Sequence, residues 1–269
     1  MAFDFKGKVF VVSGAGSGMG LATAKLLYEC GANISIVDNR REAIVAALPD
    51  ITGGKVSPPS ETKDAVHEDD RIIALEVDVS SSAQVNAWTE ATVKKFGRLD
   101  GAANLAGITS GKKKVVDITD EDWDRMMRVN LTGTFYATRA QVKAMESLKM
   151  EAASIVNTSS IYGISGKETS SDYSAAKHGV IGMSSSCAKE VGENGIRVNC
   201  IAPGIIDTRM VRSLPPHFLE SHARTLQYGQ ALHRMAEAKE VANLIGFLLS
   251  DLSSFITGAT YTIDGGQIC

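Results

Sequence analysis

The stretch "KVFVVSGAGSGMG", residues 8–20, joins an apolar run to a turn that contains four glycines. The apolar part is typical of a strand buried on both faces, and residues 19–31 have the apolar spacing of a helix that ends at Gly31. A Gly-rich turn at this position brings main-chain N–H groups and a helix N-terminus close to a phosphate group. The stretch therefore predicts the first β-α unit of a nucleotide-binding fold.

Apolar runs and helix-periodic segments alternate along the rest of the chain. Strands are predicted at residues 8–14, 33–38, 71–79, 99–107, 153–160, 196–204 and 257–266. Helices are predicted at residues 19–31, 40–48, 81–97, 119–146 and 171–195, with residues 209–249 mostly helical. Because this alternation produces parallel strands joined by crossover helices, we predict one α/β domain over residues 1–269. It is a Rossmann-type doubly wound parallel sheet of about seven strands with helices on both faces.

Composition argues against several classes of partner. The formal net charge is −3 without a basic stripe for nucleic acid, and no apolar run reaches the roughly 20 residues that cross a bilayer. The four cysteines lack C-x-x-C spacing and the five histidines lack a ligand pattern, so no metal is expected. We expect a cytoplasmic protein that binds a small-molecule substrate, without nucleic acid or membrane partners. Residues 49–70, rich in Gly, Pro, Ser and charge, are predicted to be a surface insertion.

The residue that ends the second predicted strand indicates which dinucleotide is bound. Asp38 follows the glycine turn by one β-α unit, and its carboxylate is suited to accept both hydroxyls of an adenosine ribose. The same charge would repel a 2′-phosphate. The sequence thus favours NAD over NADP, although Arg40 and Arg41 follow closely and are suited to receive a phosphate.

Tyr173 and Lys177 lie one helical turn apart and follow the Ser159–Ser160 pair. Oxidation of a secondary alcohol requires a general base for the hydroxyl proton, but tyrosine has a reference pKa of about 10. A lysine at i+4 on the same helix face brings a positive charge that would stabilise the phenolate. Ser160 ends the fifth predicted strand, at the sheet edge where doubly wound folds bind ligands, and is suited to hydrogen-bond the substrate oxygen.

Through these residues the sequence resembles the short-chain dehydrogenase/reductase family over nearly its whole length. Four segments are similar to family motifs: "SGAGSGMG" (13–20), "NLAG" (104–107), "PGIIDT" (203–208) and "IDGG" (263–266). Four residues match the family's catalytic tetrad one by one: Asn130, Ser160, Tyr173 and Lys177. The departures are Ser13 in place of Thr and Leu105 in place of a second Asn.

The resemblance implies a role for each matched residue in an NAD(P)-dependent oxidoreductase that transfers a hydride between the nicotinamide and a secondary alcohol or ketone. Lys177 would also hold the nicotinamide ribose hydroxyls, and Asn130 would keep a water that relays protons from Lys177. By position, the residues expected at the cofactor are Gly14, Ser17, Gly18, Met19, Gly20, Asp38, Asp78, Val79, Asn104, Ala106, Gly107, Tyr173, Lys177, Pro203, Gly204, Ile206 and Thr208.

Substrate contacts are expected from Ser160, Tyr162, Tyr173 and Met210. Residues 209–235 contain several apolar side chains and are predicted to form a helical lid over an apolar pocket. The expected substrate is accordingly apolar or cyclic, of a kind found in specialised metabolism. The family resemblance also implies a homotetramer formed through the two long helices and the last strand.

Two other interpretations are compatible with the same residues. One is still an enzyme, either an NADPH-dependent ketone reductase or a catalyst of a non-redox step in the same pocket. The other is a regulatory sensor that binds the dinucleotide and acts on a partner, because a fold does not by itself imply a function. The intact set of Asn130, Ser160, Tyr173 and Lys177 disfavours the sensor, which has no use for an acid–base pair.

Overall fold

The computed structural model describes residues 3–54, 65–109, 113–213 and 216–269. An eight-stranded sheet in the order β10-β7-β6-β5-β1-β2-β4-β3 forms its centre. These strands are β1 (Val9–Ser13), β2 (Asn33–Asp38), β3 (His67–Glu68), β4 (Ile72–Glu76), β5 (Gly101–Asn104), β6 (Ala153–Thr158), β7 (Ile196–Pro203) and β10 (Thr260–Ile263). A separate parallel pair consists of β8 (Ile206–Asp207) and β9 (Ala236–Glu237). The predicted α/β fold with a parallel sheet is confirmed.

Helices cover both faces of the sheet, as predicted. They are α1 (Gly18–Glu29), α2 (Arg41–Thr52), α3 (Ser82–Phe96), α4 (Asp120–Met127), α5 (Gly133–Ser147), α6 (Ser171–Val191), α7 (Arg209–Arg212), α8 (Pro216–Tyr228) and α9 (Ala238–Leu249). α1 packs against α2 and α9 on one face, and α5 packs against α3 and α6 on the other. Each layer buries its own apolar cluster against the sheet, which fixes the strand ends relative to one another.

The strand order reverses at β1, which pairs with β2 on one side and with β5 on the other. The chain leaving β1 and the chain leaving β5 turn towards opposite faces of the sheet, so a crevice opens between them. In doubly wound sheets this topological switch point is where ligands bind. The glycine turn that follows β1 lies at this crevice.

The sheet has one strand more than the seven predicted. His67 and Glu68 pair antiparallel with Ala74 and Ile73, so β3 forms the edge of the sheet beside β4. β3 belongs to the segment 49–70 that the sequence predicts as a surface insertion, and Val66 and His67 are buried there. A two-residue strand with a charged member is too short to show an apolar alternation. Residues 55–64 of the insertion lie outside the described part of the chain.

The helix predicted at residues 119–146 is divided by a π-helical turn. α4 and α5 are joined by Arg128–Thr132, in which the N–H of Gly133 binds the carbonyl of Arg128, five residues earlier. Such single π turns concentrate at functional sites because they re-aim the side chains of one turn. The residue re-aimed here is Asn130.

The predicted lid, residues 209–235, is bounded at its base by the β8–β9 pair. Ile206 pairs with Ala236 and Asp207 with Glu237, so the chain leaves and returns at one point. Leu214 and Pro215 of this lid lie outside the described residues. Within the described ranges, no helix has both the length and the hydropathy needed to cross a bilayer.

Candidate active site

Two adjoining cavities occupy the crevice at the carboxyl ends of the strands. The larger, of about 790 Å³, extends from the glycine turn past the ends of β2 and β4. The smaller, of about 100 Å³, is lined by the four predicted catalytic residues, Asn130, Ser160, Tyr173 and Lys177. Met19, Gly107 and Met210 line both cavities, which are therefore continuous.

The glycine turn is shaped for close contact between main-chain segments. Gly14 has a φ of +71°, and a Cβ there would lie 2.9 Å from the nitrogen of Ala106. A Cβ on Gly20 would overlap the carbonyl oxygen of Gly14. Ser17 precedes α1 and makes no side-chain capping bond, so the first N–H groups of the helix are available to an anion. The turn thus forms an anion cradle at the open end of α1.

We expect Gly20→Ala to weaken dinucleotide binding by at least about tenfold, because the added methyl group forces the turn away from β1. Titration of NADH followed by fluorescence measures the effect. Gly166→Ala is the matched control, since a Cβ at Gly166 meets nothing within 4 Å. Unchanged affinity in Gly20→Ala would contradict the assignment of this turn as the phosphate cradle.

Asp38 and Arg40 line the far end of the large cavity. The Asp38 carboxylate is 8% exposed and accepts hydrogen bonds from the main-chain N–H groups of Gly16 at 3.1 Å and Arg40 at 3.2 Å. The guanidinium of Arg40 lies 3.6 Å from the same carboxylate. Asp78 and Val79 line the cavity at the end of β4, where Asp78 also accepts a bond from the N–H of Ser80 at 2.9 Å. This end thus offers a carboxylate held in place by main-chain donors.

Tyr173, Lys177 and Ser160 meet in the small cavity. Lys177 is 4% exposed, donates from Nζ to the carbonyl oxygen of Thr158 at 2.8 Å, and lies 5.7 Å from the centre of the Tyr173 ring. Ser160 is hydrogen-bonded to the Tyr173 phenol. The Tyr162 ring packs edge-on against Tyr173 with 6.4 Å between centroids. The structure therefore brings the predicted acid–base pair and its hydroxyl partner together.

Burial dominates the pKa shifts in this cavity. Burial raises the pKa of Tyr173 to about 12, although the hydrogen bond with Ser160 acts in the opposite direction. Burial lowers the pKa of Lys177 to about 8. Burial is the largest cause of both shifts and Lys177 is not among the causes of the Tyr173 shift, so the stabilisation of the phenolate by the lysine charge stays a prediction.

Ser159 holds the helix that carries Lys177. Its hydroxyl donates to the carbonyl oxygen of Lys177 at 2.8 Å, and a Cβ at Gly163 would overlap this hydroxyl. Two residues at the end of β6 therefore hydrogen-bond to Lys177. Thr158 binds its Nζ, and Ser159 binds its main-chain carbonyl. Both serines of the Ser159–Ser160 pair line the small cavity, but the Ser159 hydroxyl is already engaged by the Lys177 carbonyl.

Asn130 connects the π-helical turn to the end of β5. Its side chain accepts from the N–H of Ile108 at 3.0 Å and donates to the Ile108 carbonyl at 2.9 Å. It also donates to the sulfur of Met126 at 2.6 Å. A Cβ on Gly107 would lie 2.6 Å from the Asn130 oxygen, so glycine is needed there. The side chain is therefore occupied in holding the Ile108 loop, and the water relay remains a prediction.

Asn104 lines neither cavity, because its side chain is bonded within the core, and its expected contact with the cofactor ribose stays a prediction. Its side chain is 3% exposed and exchanges hydrogen bonds with Gln141 at 2.9 and 2.8 Å. It also donates to Asn157 at 2.8 Å, which in turn donates to Ser184. The sequence motif does not reveal these partners, because the buried amides that bind the Asn104 side chain lie on α5 and β6.

The remaining predicted contacts line one or both cavities. In the large one are Gly14, Ser17, Gly18, Met19, Gly20, Asp38, Asp78, Val79, Ala106, Gly107, Thr208 and Met210. In the small one are Pro203, Gly204, Ile206, Thr208 and Met210 together with the catalytic set. Tyr162 reaches the site through Tyr173 rather than as a lining residue. The sequence analysis missed Ile108, Arg125 and Arg128, since cavity-facing positions in the loop after β5, on α4 and in the π-helical turn carry no motif.

The residues present fit a dinucleotide. A cradle of glycines at an open helix N-terminus suits a pyrophosphate, and a carboxylate at the end of β2 suits a ribose diol. The large cavity lies within the range of volumes found for cofactor-sized ligands. The small cavity, with the predicted acid–base pair, adjoins the end of the large cavity that lies away from Asp38.

Comparison with known proteins gives consistent matches over the whole chain. Residues 14–267 match a family model described as enoyl-(acyl carrier protein) reductase. The chain is 42% identical over 274 residues to the short-chain dehydrogenase/reductase aba4 of Botryotinia fuckeliana, covering 98% of each protein. It is 34% identical over 269 residues to a 2,5-dichloro-2,5-cyclohexadiene-1,4-diol dehydrogenase of Sphingobium indicum, again covering 98% of each. The crystal structure of a levodione reductase superposes with a TM-score of 0.87, at 35% identity and 98% coverage of each chain.

Proposed function

The chain belongs to the short-chain dehydrogenase/reductase family and is an NAD(P)-dependent oxidoreductase acting on CH–OH or keto groups, and from that premise we propose that it uses NAD(H) on an apolar or cyclic secondary alcohol or ketone. The observation that carries the proposal is the meeting of Ser160, Tyr173 and Lys177 in a cavity continuous with the glycine cradle.

Each residue of the small cavity has one task in this proposal. Tyr173 transfers the proton between its phenol oxygen and the substrate oxygen, and Ser160 hydrogen-bonds that substrate oxygen. Lys177 brings its buried ammonium group beside the tyrosine and binds ribose hydroxyls. Asn130 positions the Ile108 loop. When bound, the dinucleotide accepts or supplies the hydride.

The raised pKa of Tyr173 favours one direction at neutral pH. With a pKa of about 12 the phenol is protonated in the free enzyme, which is the form that donates a proton to a ketone oxygen. Alcohol oxidation needs the deprotonated form. The proposal therefore implies that alcohol oxidation accelerates as the pH rises, whereas ketone reduction does not.

NAD is proposed over NADP because of Asp38. Two main-chain N–H groups hold its carboxylate in place. Moving the carboxylate away from a 2′-phosphate would break both hydrogen bonds. We expect NADH to bind at least about tenfold more tightly than NADPH, because repulsion between one pair of like charges in a partly buried site lowers affinity by about that factor. In Asp38→Ser the difference between the affinities for NADH and NADPH should be smaller than in the wild type. Tighter binding of NADPH by the wild type would mean that Arg40 overrides Asp38.

The apolar or cyclic character of the substrate rests on the walls of the small cavity. Leu105, Ile108, Ile206, Met210 and Val211 surround the polar residues there. An apolar pocket with a few convergent polar groups is typical of sites for small organic ligands. The Sphingobium relative, by its name, acts on a cyclic diol.

A homotetramer and a cytoplasmic location complete the proposal. Phe135 on α5 is 41% exposed, Phe255 beyond α9 is fully exposed, and β10 pairs with β7 alone. These features suit the helix and strand interfaces that the family resemblance implies. None of the four cysteines, all within the described residues, forms a disulfide, which suits a reducing compartment. Light scattering should give about four times the chain mass of 28.6 kDa, and a monomer mass would contradict the assembly.

A further inference from the structure

Arg209 lies where the two cavities join. Its neighbours in sequence, Thr208 and Met210, line both the large and the small cavity. Arg209 lines the large cavity and a further, open cavity beside Gly18, but it does not line the small cavity that holds the catalytic residues. It therefore borders the region between the two ends of the dinucleotide site and not the place where the substrate reacts.

A direct contact places this part of the chain on the glycine turn. Gly18 has a φ of +55°, and a Cβ there would lie 3.0 Å from the methyl carbon of Thr208. Gly18 begins α1, and the next residue, Met19, lines both cavities. Arg209 follows Thr208 directly, and consecutive Cα atoms are about 3.8 Å apart. The long side chain of Arg209 is therefore within reach of the first N–H groups of α1.

The guanidinium of Arg209 is not engaged by another group in the part of the chain that the structure describes. Its side chain is exposed and pairs with none of the described carboxylates. The nearby carboxylate of Asp207 is bound through both oxygens by Arg212, at 2.7 Å each. An exposed guanidinium that keeps its donors unused is suited to bidentate binding of a phosphate group.

The glycine cradle has no charged side chain of its own. It offers main-chain N–H groups and the open end of α1, which supply only partial positive charges. Each phosphate of a dinucleotide is negatively charged, so a cation beside the cradle strengthens binding. Three other arginines also line the large cavity, but none of them lines the open cavity beside Gly18; they are Arg40, Arg125 and Arg128.

The two ends of the site fix which part of a dinucleotide meets Arg209. In the proposed function, Asp38 binds the adenosine ribose and Lys177 binds the nicotinamide ribose. The pyrophosphate joins these two ribose units, so it lies at the junction of the two cavities. The groups present at that junction are the glycine cradle and Arg209.

Resting on the dinucleotide site of the proposed function, we propose that Arg209 binds the pyrophosphate and is a further cofactor-binding residue. The contact gives the predicted substrate lid a second role, because α7 begins at Arg209. A bound pyrophosphate connects this first helix of the lid to the start of α1, so the dinucleotide holds the lid before the substrate binds. Both roles are the same for NAD and NADP, which share the pyrophosphate.

The first test compares two adenine ligands, of which ADP has a pyrophosphate and adenosine has none. Their affinities are measured by displacement of bound NADH. Arg209→Met should bind NADH and ADP about tenfold more weakly than the wild type, because one charge-assisted contact is lost, and adenosine within about twofold as tightly. Arg209→Lys keeps the charge but not the fork of donors, so its affinity for ADP should lie between the two.

Lys25→Met is the matched control. It removes one exposed positive charge from α1, the helix that begins at the cradle, and Lys25 lines none of the three cavities. Its affinities for NADH, ADP and adenosine should equal those of the wild type.

Hydrogen exchange tests the hold on the lid. At concentrations that saturate each protein, ADP should slow the exchange of the main-chain amides of residues 209–213 in the wild type, and much less in Arg209→Met. Equal slowing in the two proteins would contradict a pyrophosphate contact from this helix.

Two results of the affinity measurements would overturn the proposal. One is an Arg209→Met variant that binds ADP as tightly as Lys25→Met does. The other is a loss of adenosine affinity as large as the loss of ADP affinity, which would mean that the substitution disturbs the cavity and removes no phosphate contact. A wild type that binds neither NADH nor NADPH would overturn the proposed function itself.

Discussion

Tyr173→Phe is expected to lower kcat by at least about a thousandfold, because the substitution removes the phenol that we propose exchanges a proton with the substrate oxygen. Dinucleotide binding should stay within about twofold, since the ring and its packing on Tyr162 are kept. Steady-state kinetics and an NADH titration on the same preparation measure the two effects.

Tyr136→Phe is the matched control for this variant. It removes a phenol hydroxyl from α5, outside both cavities, and should leave kcat unchanged. A Tyr173→Phe enzyme with turnover comparable to that of the control would sink the assignment of Tyr173 as the proton donor and acceptor.

Lys177→Met is expected to abolish turnover and yet to stabilise the fold. Burial holds the pKa of Lys177 at about 8, below its ordinary value of 10.5, which means that the fold disfavours the charged form. At neutral pH the lysine is charged in both the folded and the unfolded state. At about 1.36 kcal/mol per pKa unit, its lowered pKa in the folded state corresponds to a loss of about 3 kcal/mol of stability. The lost bond to Thr158 offsets part of the gain.

The pH dependence of stability distinguishes the cost of burying the Lys177 charge from a general stabilising effect of methionine. Between about pH 8 and 10.5 the unfolded chain binds more protons at this lysine than the folded one, so wild-type stability should gain a rising component there. Lys177→Met should lack that component and melt at a higher temperature at pH 7. A less stable variant would show that the hydrogen bond to Thr158 outweighs the cost of burying the charge.

The elements with strong local signals were predicted correctly. Glycine turns after apolar strands have few alternatives, and Tyr173 and Lys177 are placed by helix geometry alone, so the sequence located the residues that line the two cavities, while their roles stay predictions. The parallel order of the long strands also follows from the alternation with helices.

What the sequence missed depends on contacts between distant segments. β3 is an edge strand of two residues that pairs with β4. Asn104 lies in the core because Gln141 and Asn157 meet it from a helix and a neighbouring strand. The raised pKa of Tyr173 is set by the burial of its whole surroundings, which a spacing of four residues does not reveal.

The most direct test of the central claim is a rapid-mixing measurement of nicotinamide absorbance at a single turnover. Wild type loaded with NADH is mixed with a panel of cyclic ketones, beside Tyr173→Phe loaded in the same way. The wild type should oxidise one equivalent of bound NADH, and the variant, with the same affinity for NADH, should not. NADH bound tightly by the wild type but left unoxidised across the panel would contradict the central claim and favour a dinucleotide-binding regulator.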